Sequence, residues 1–202
     1  MLGMLVYVNY IYITYIVGAY HNFPEEVAKP LRKAIFYAKI QEDPQKALRW
    51  YKESLKVIEE IGMDPFSNEV LGVKIQLAAL FEKYHSFDLA IQVLEQVRSD
   101  CFGYLELLGD KHMNDGKRTR VLGKTVAIGI KLGELYSNGA VDDQEAAEAV
   151  LISAVETMLS EKQRREREGV QAGEGEWATD EENGATLEGE IDEAVKNMPS
   201  LT

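Results

Sequence analysis

The chain is poor in cysteine and proline, and both shortages limit the folds that it can adopt. Cys101 is the only cysteine among 202 residues, so no disulfide can form within the chain and packing must hold the fold. The five prolines leave long uninterrupted stretches, and helix-favouring leucine, alanine, glutamate and lysine dominate the middle of the sequence. We therefore expect an all-α fold around one core, which a chain with 46% hydrophobic residues can bury.

Positive charge is also scarce, which argues against a nucleic-acid partner. The chain has 22 lysines and arginines against 34 acidic residues, a net charge of −12. Residues 170–202 contain nine acidic residues and a single lysine, so most of the net charge lies there and we expect a disordered acidic tail. The remaining sequence is only mildly acidic and shows no broad basic face, and we expect no nucleic-acid binding.

Charged residues are absent altogether from residues 2–20. As a helix, this segment would span roughly 28 Å, close to the ~30 Å hydrocarbon core of a bilayer. We predict that residues 1–21 form a transmembrane anchor, whose orientation the mixed charges after it do not decide. Two alternatives stay open. One is a signal peptide cleaved near Val17-Gly18-Ala19, although no basic residue precedes the apolar run; the other is a segment packed on the helical body.

Helix-turn-helix units are indicated by Leu132-Gly133-x-x-Tyr136, which is followed after a polar turn by Ala147, Leu151 and Ala154. A small residue where two antiparallel helices cross lets their backbones approach, and larger neighbours fill the flanking groove. A similar stripe recurs at Ala47, Tyr51 and Ser54 and again at Ala90, Leu94 and Val97. Residues 22–169 are therefore predicted to form a tetratricopeptide (TPR)-like α-solenoid of three units, at an irregular spacing.

The unit boundaries follow from helix caps and turns, and they are predicted at about 27–62, 67–108 and 117–168. Pro44 suits the first position of a helix and Gly62 suits the end of one. The last helix is predicted from about Gln144 to Glu168. From Glu161 onward it is almost entirely charged, which is typical of a solvated helix end.

Catalytic and cofactor-binding patterns are not found. The three histidines are far apart in sequence, and none has a second histidine or a cysteine one helical turn away. Gly123-Lys124-Thr125 resembles the end of a phosphate-binding loop, but Arg118 occupies the position of its required glycine. We expect no enzymatic activity, cofactor, metal or small-molecule substrate.

Peptide binding is the usual role of stacked helix pairs, because their first helices line a concave groove. In this chain the groove would mix apolar and basic side chains, which suits exposed hydrophobic segments. The predicted groove residues are Lys29, Arg32, Phe36, Lys39, Ile75, Ala79, Lys83, Ile130 and Glu134.

The polar connector between the second and third units is a candidate partner surface, because it mixes charges of both signs. The candidate residues are Asp110, Lys111, His112, Asn114, Asp115, Lys117, Arg118 and Arg120. The alternative is structural: Asp110, Asn114 and Asp115 would cap helices while Lys117 and Arg118 stay solvated.

Several strings resemble those of fungal mitochondrial TPR proteins over roughly residues 20–178. They are Phe23-Pro24-Glu25, Ile61-Gly62-Met63-Asp64-Pro65-Phe66, Gly109-Asp110-Lys111-His112 through Arg118-Thr119-Arg120, Leu122-Gly123-Lys124-Thr125 and Gly173-Glu174-Gly175-Glu176-Trp177. The resemblance implies repeats anchored in the mitochondrial inner membrane by a single helix, facing the intermembrane space. It also implies a substrate adaptor of the i-AAA protease.

The sequence departs from that family at both ends. No arginine-rich targeting sequence precedes the apolar run, and the further repeats of the family do not follow residue 182. We therefore expect this sequence to be a fragment of a longer protein. Two functions stay open: an adaptor that delivers unfolded or membrane-protein segments to a protease, and a structural scaffold in a membrane complex.

Overall fold

The computed structural model describes residues 23–109 and 116–168, and all regular structure within these ranges is helical. The helices are α1 (Glu25–Ile35), α2 (Pro44–Ile61), α3 (Asn68–Lys83), α4 (Phe87–Leu108), α5 (Lys117–Tyr136) and α6 (Gln144–Glu168), and α1 continues into a π-helical segment, Phe36–Ile40. The all-α prediction is confirmed for these ranges. The predicted anchor 1–21, connector residues 110–115 and the tail 170–202 lie outside them.

None of the helices between residues 23 and 109 or 116 and 168 is both long and apolar enough to cross a membrane. The chain divides into two compact units, and the division falls between His85 and Ser86. These residues form the turn that the sequence predicted for the second repeat. The division into three repeats stays a prediction, and the two units are described separately.

The first unit is built from α1, α2 and α3, with α2 packed against both α1 and α3. Its helix ends follow the sequence signals. The Asp43 carboxylate accepts a hydrogen bond of 3.0 Å from the Lys46 amide at the start of α2, where Pro44 is the first residue. Gly62 ends α2 with a φ of +73°, a left-handed conformation that favours glycine. The core contains Val27, Leu31, Ala34, Ala47, Tyr51, Ile58, Val70, Val73 and Leu77.

The second unit is built from α4, α5 and α6, with α5 packed against both of the others. The predicted stripe is buried, including Ala147, Leu151 and Ala154. A β-carbon added at Gly133 would lie only 2.7 Å from Cγ of Leu151, so α5 and α6 approach closely at the predicted position. The sequence signature therefore predicted the packing of this hairpin.

Candidate functional site

Two apolar side chains at the end of α1 are exposed to solvent. Phe36 is 41% exposed and Ile40 is 58% exposed, and both belong to the π-helical segment. Lys29 is exposed seven residues before Phe36, which places the two residues on the same face, two helical turns apart. The sequence predicted Lys29 and Phe36 for this surface but not Ile40, although Ile40 follows Phe36 by four residues and helical spacing places both on one face.

The C-terminal end of α3 contacts this π-helical segment through Lys83. The Lys83 ammonium group donates hydrogen bonds to the Ala38 carbonyl at 3.0 Å and to the Glu42 carboxylate at 2.7 Å. The hydrogen bond from Lys83 lowers the pKa of Glu42, and the bond to Glu42 raises the pKa of Lys83. Lys83, a predicted groove residue of α3, therefore contacts the π-helical segment that contains Phe36 and Lys39.

The remaining predicted residues of α3 lie on the side of the helix that carries Lys83. Ala79 is exposed and Ile75 is half-buried, and the spacing of four residues keeps both near the Lys83 face. We call this surface of the first unit the basic-apolar face. It consists of Lys29, Arg32, Phe36, Lys39, Ile40, Ile75, Ala79 and Lys83.

The positive charges of the basic-apolar face are not equivalent. Arg32 forms an ion pair of 2.8 Å with Glu25, and Lys83 is paired with Glu42. Lys29 and Lys39 are exposed, and no carboxylate within residues 23–109 or 116–168 forms an ion pair with either of them. Both lysines can therefore attract a negatively charged ligand, and so can the exposed Lys33, which lies 4.0 Å over the Trp50 ring and has no ion pair with a carboxylate in these ranges either.

The predicted groove residues of the second unit have different environments. Ile130 is only 5% exposed and packs with Leu122, Val126, Ala154 and Met158. Its assignment to an open surface was wrong, because α5 lies between α4 and α6 and is buried on more than one side. Glu134 is exposed and accepts a hydrogen bond of 2.9 Å from Lys131.

The candidate partner surface at the connector is described only in part. Asp110, Lys111, His112, Asn114 and Asp115 lie outside the described residues, so their predicted binding or capping roles stay predictions. Lys117, Arg118 and Arg120 begin α5 and are half-buried. The Lys117 ammonium lies 5.2 Å from the centre of the Tyr104 ring.

Arg118 is not solvated, because its guanidinium donates to the carboxylate of Glu161 on α6. Glu161 is 3% exposed and also accepts hydrogen bonds from Arg164 at 2.6 Å and from Arg165 at 3.1 Å. Arg165 in turn donates to the Thr119 hydroxyl at 2.8 Å. We call Arg118, Thr119, Glu161, Arg164 and Arg165 the arginine–glutamate cluster.

The prediction of a solvated helix end was therefore wrong at Glu161. The sequence contains a signal that could have corrected it. Ala147, Leu151, Ala154 and Met158 are buried at alternating spacings of four and three residues, and the next position in this stripe is Glu161. Burial would raise the pKa of Glu161, but hydrogen bonds from Arg164 and Arg118 outweigh burial and lower the pKa to about 2.

A second polar network links the three helices of the second unit. The Tyr136 hydroxyl donates to Glu95 at 3.2 Å, and burial raises its pKa to about 12. Arg98 donates to the Ser153 hydroxyl at 2.8 Å. Within residues 23–109 and 116–168, no three His, Cys, Asp or Glu side chains are grouped so that they could hold a metal ion. The polar networks in this part of the chain thus connect helices.

No family model and no solved structure matches the chain. A protein of Saccharomyces cerevisiae (strain ATCC 204508 / S288c), described as Protein MRG3-like, is 28% identical over 102 residues. These residues are 49% of this chain but only 22% of the yeast protein. The similarity thus covers part of a longer protein, and any activity of a whole protein is a matter for proposal.

Proposed function

We propose that this chain is the repeat-containing part of a membrane-anchored adaptor that binds unfolded polypeptide segments and delivers them to the i-AAA protease of mitochondria. Residues 2–20 would anchor it in the inner membrane, and the helical units would face the intermembrane space. Its partners would be the protease complex and unfolded client proteins. No cofactor or catalytic group of its own is required for this role.

The basic-apolar face is the observation that carries this proposal. Phe36 and Ile40 expose apolar surface, and an unfolded client offers apolar side chains that a folded protein keeps buried. Lys29 and Lys39 add charge to the same unit, which raises the rate of encounter with acidic segments. Such a surface suits reversible capture of many sequences better than a single fixed partner.

The TPR-like architecture is part of the same proposal. The close approach of Gly133 to Leu151 supports a TPR-like hairpin in the second unit. In the first unit, Ala47, Tyr51 and Ser54 are buried on one face of α2, which packs against α1. The sequence strings that resemble fungal mitochondrial TPR proteins support the protease as the downstream partner.

Turnover of a defined client tests the proposal. The purified i-AAA protease and the full chain would be reconstituted together in liposomes, with a membrane-tethered reporter that is either folded or unfolded. We expect the chain to accelerate degradation of the unfolded reporter several-fold and to leave the folded reporter unchanged. A chain carrying Phe36→Ser and Ile40→Ser should lose this effect, whereas Ile61→Ser, which changes an exposed residue at the end of α2, should retain it.

The outcome also separates the adaptor from the scaffold. A scaffold would bind the protease complex stoichiometrically, and degradation would be the same with the wild-type chain and with the double variant. Equal turnover of the unfolded reporter with and without the chain would contradict the adaptor function.

A further inference from the structure

We infer that the π-helical end of α1 is a selective docking surface for polypeptide segments in which apolar residues are flanked by aspartate or glutamate. This inference rests on the proposed function, because it names the class of client. Its site is the part of the basic-apolar face formed by Phe36 and Ile40, with Lys29 and Lys39 on either side of Phe36 in sequence.

The backbone at this site is held in one conformation. The Gln41 amide donates to the Phe36 carbonyl at 3.0 Å and the Asp43 amide donates to the Tyr37 carbonyl at 2.9 Å, so the helix widens before it ends. Lys83 donates to the Ala38 carbonyl within the same segment. The Phe36 and Tyr37 rings pack edge to face with their centres 5.4 Å apart. Phe36 and Ile40 are thus presented to solvent by a preorganised turn, which lowers the entropy lost on binding.

The electrostatics of the site favour acidic flanks. Glu25 neutralises Arg32 and Glu42 neutralises Lys83. Among the described residues this leaves Lys29, Lys39 and the neighbouring Lys33, which lies over the Trp50 ring, as the positive charges that a ligand meets at this site. Aspartate or glutamate beside the apolar residues of a client would pair with these lysines, and lysine or arginine there would be repelled. The apolar contact supplies the affinity that both kinds of client share, and the lysines supply the preference for acidic flanks.

An anionic membrane surface is the other ligand class with this chemistry, and the local charge disfavours it. Lipid-binding surfaces concentrate about four to eight lysines or arginines. Here three exposed lysines, Lys29, Lys33 and Lys39, have no ion-pair partner among the residues that the structure describes, which is fewer than such surfaces carry. We therefore assign the surface to polypeptide.

Fluorescence anisotropy with two labelled peptides tests the inference. Both peptides carry the same leucines and phenylalanine, flanked by aspartate and glutamate in one and by lysine and arginine in the other. The full chain, kept in a neutral detergent, should bind the acidic peptide about tenfold more tightly at low salt, a difference of about 1.4 kcal/mol. In about 1 M salt the preference should fall to less than about threefold, because exposed charges are then screened.

Matched variants test which side chains cause the preference for the acidic peptide. The double variant Lys29→Glu with Lys39→Glu should bind the basic peptide more tightly than the acidic one. Lys52→Glu, which changes an exposed lysine on α2, should leave the preference for the acidic peptide unchanged. The double variant Phe36→Ser with Ile40→Ser should bind both peptides more weakly. Ile61→Ser should bind both as tightly as the wild-type chain does. All of these side chains are exposed or end a helix, and an unchanged thermal unfolding curve confirms the fold of each variant.

Three results would overturn the inference. Equal affinity for the two peptides would remove the charge selection, although client turnover could still support the adaptor function. If Lys52→Glu weakened binding of the acidic peptide as much as the double lysine variant does, the preference for acidic flanks would not arise from Lys29 and Lys39. Displacement of the acidic peptide by phosphatidylserine vesicles, but not by phosphatidylcholine vesicles, would assign the surface to lipid.

Discussion

Gly133 of α5 lies directly against Leu151 of α6, so that a β-carbon added at Gly133 would be 2.7 Å from Cγ and 2.8 Å from Cδ2 of Leu151. Real β-carbons do not approach other atoms so closely, because the repulsion is steep at this separation. The two helices therefore reach their observed distance only because residue 133 has no side chain. This contact explains why the Leu-Gly-x-x-Tyr pattern indicated a tightly packed hairpin.

Gly133→Ala should destabilise the chain by about 1–3 kcal/mol, since the added methyl must displace Leu151 or separate α5 from α6. Gly103→Ala is the matched control. A β-carbon at Gly103, inside α4, would have no atom within 4 Å, and replacing a helical glycine by alanine should stabilise by about 0.5–1 kcal/mol. Urea unfolding measures both effects. Equal changes of the same sign in the two variants would contradict the close contact.

Glu161→Gln should destabilise the second unit by roughly 1–3 kcal/mol, because the arginine–glutamate cluster loses its carboxylate and three half-buried arginines remain close together. Glu166→Gln removes a carboxylate from an exposed position on the same helix and should stay within about 0.5 kcal/mol of wild type. Chemical unfolding of both variants compares them. A Glu161→Gln effect no larger than that of Glu166→Gln would mean that the cluster does not stabilise α6.

The contribution of Glu161 to the free energy of unfolding should depend on pH between about 4.5 and 2. The pKa of Glu161 is lowered from its ordinary value of 4.5 to about 2 in the folded chain. A carboxyl group whose pKa is lowered by folding stabilises the folded chain. This contribution is complete above pH 4.5 and is lost as the pH falls toward 2. The difference in unfolding free energy between wild type and Glu161→Gln should therefore be constant near neutral pH and shrink below pH 4.5. A constant difference throughout this window would contradict the ion pairing.

Lys83→Met should loosen the end of α1, because it removes the hydrogen bonds to the Ala38 carbonyl and to Glu42. We expect a small loss of stability and faster hydrogen exchange of the Gln41 and Asp43 amides, which bond within the π-helical segment. Lys52→Met is the control, since Lys52 is exposed on α2. Unchanged exchange at Gln41 and Asp43 in Lys83→Met would show that Lys83 does not hold this segment.

Helix ends were the part of the fold that the sequence predicted best. The start of α5 at Lys117 and the bounds of α6 at Gln144 and Glu168 match the prediction, because caps, turns and the apolar period act within a few residues. The cap at Ser67, whose hydroxyl accepts from the Val70 amide at 3.2 Å, follows the same local rule.

Interactions between distant residues were not predictable in the same way. Lys83 and Ala38 are 45 residues apart, and Arg118 and Glu161 are 43 residues apart, so no local pattern connects them. A run of charges was interpreted as solvated, although Glu161 continues a buried stripe. The π-helical segment also has no compositional signal, since its wider turn depends on which carbonyl each amide reaches in the folded chain.

Photo-crosslinking from position 36 tests most directly whether this chain binds unfolded segments through the basic-apolar face. A photoreactive amino acid would replace Phe36 in the full chain, and a second variant would carry it at Ile61 as the control. A purified reporter domain would be added either folded, with its stabilising ligand, or unfolded, without it. We predict strong crosslinking from position 36 to the unfolded reporter only, with little from position 61. Equal crosslinking from both positions, or crosslinking that does not depend on unfolding of the reporter, would contradict it.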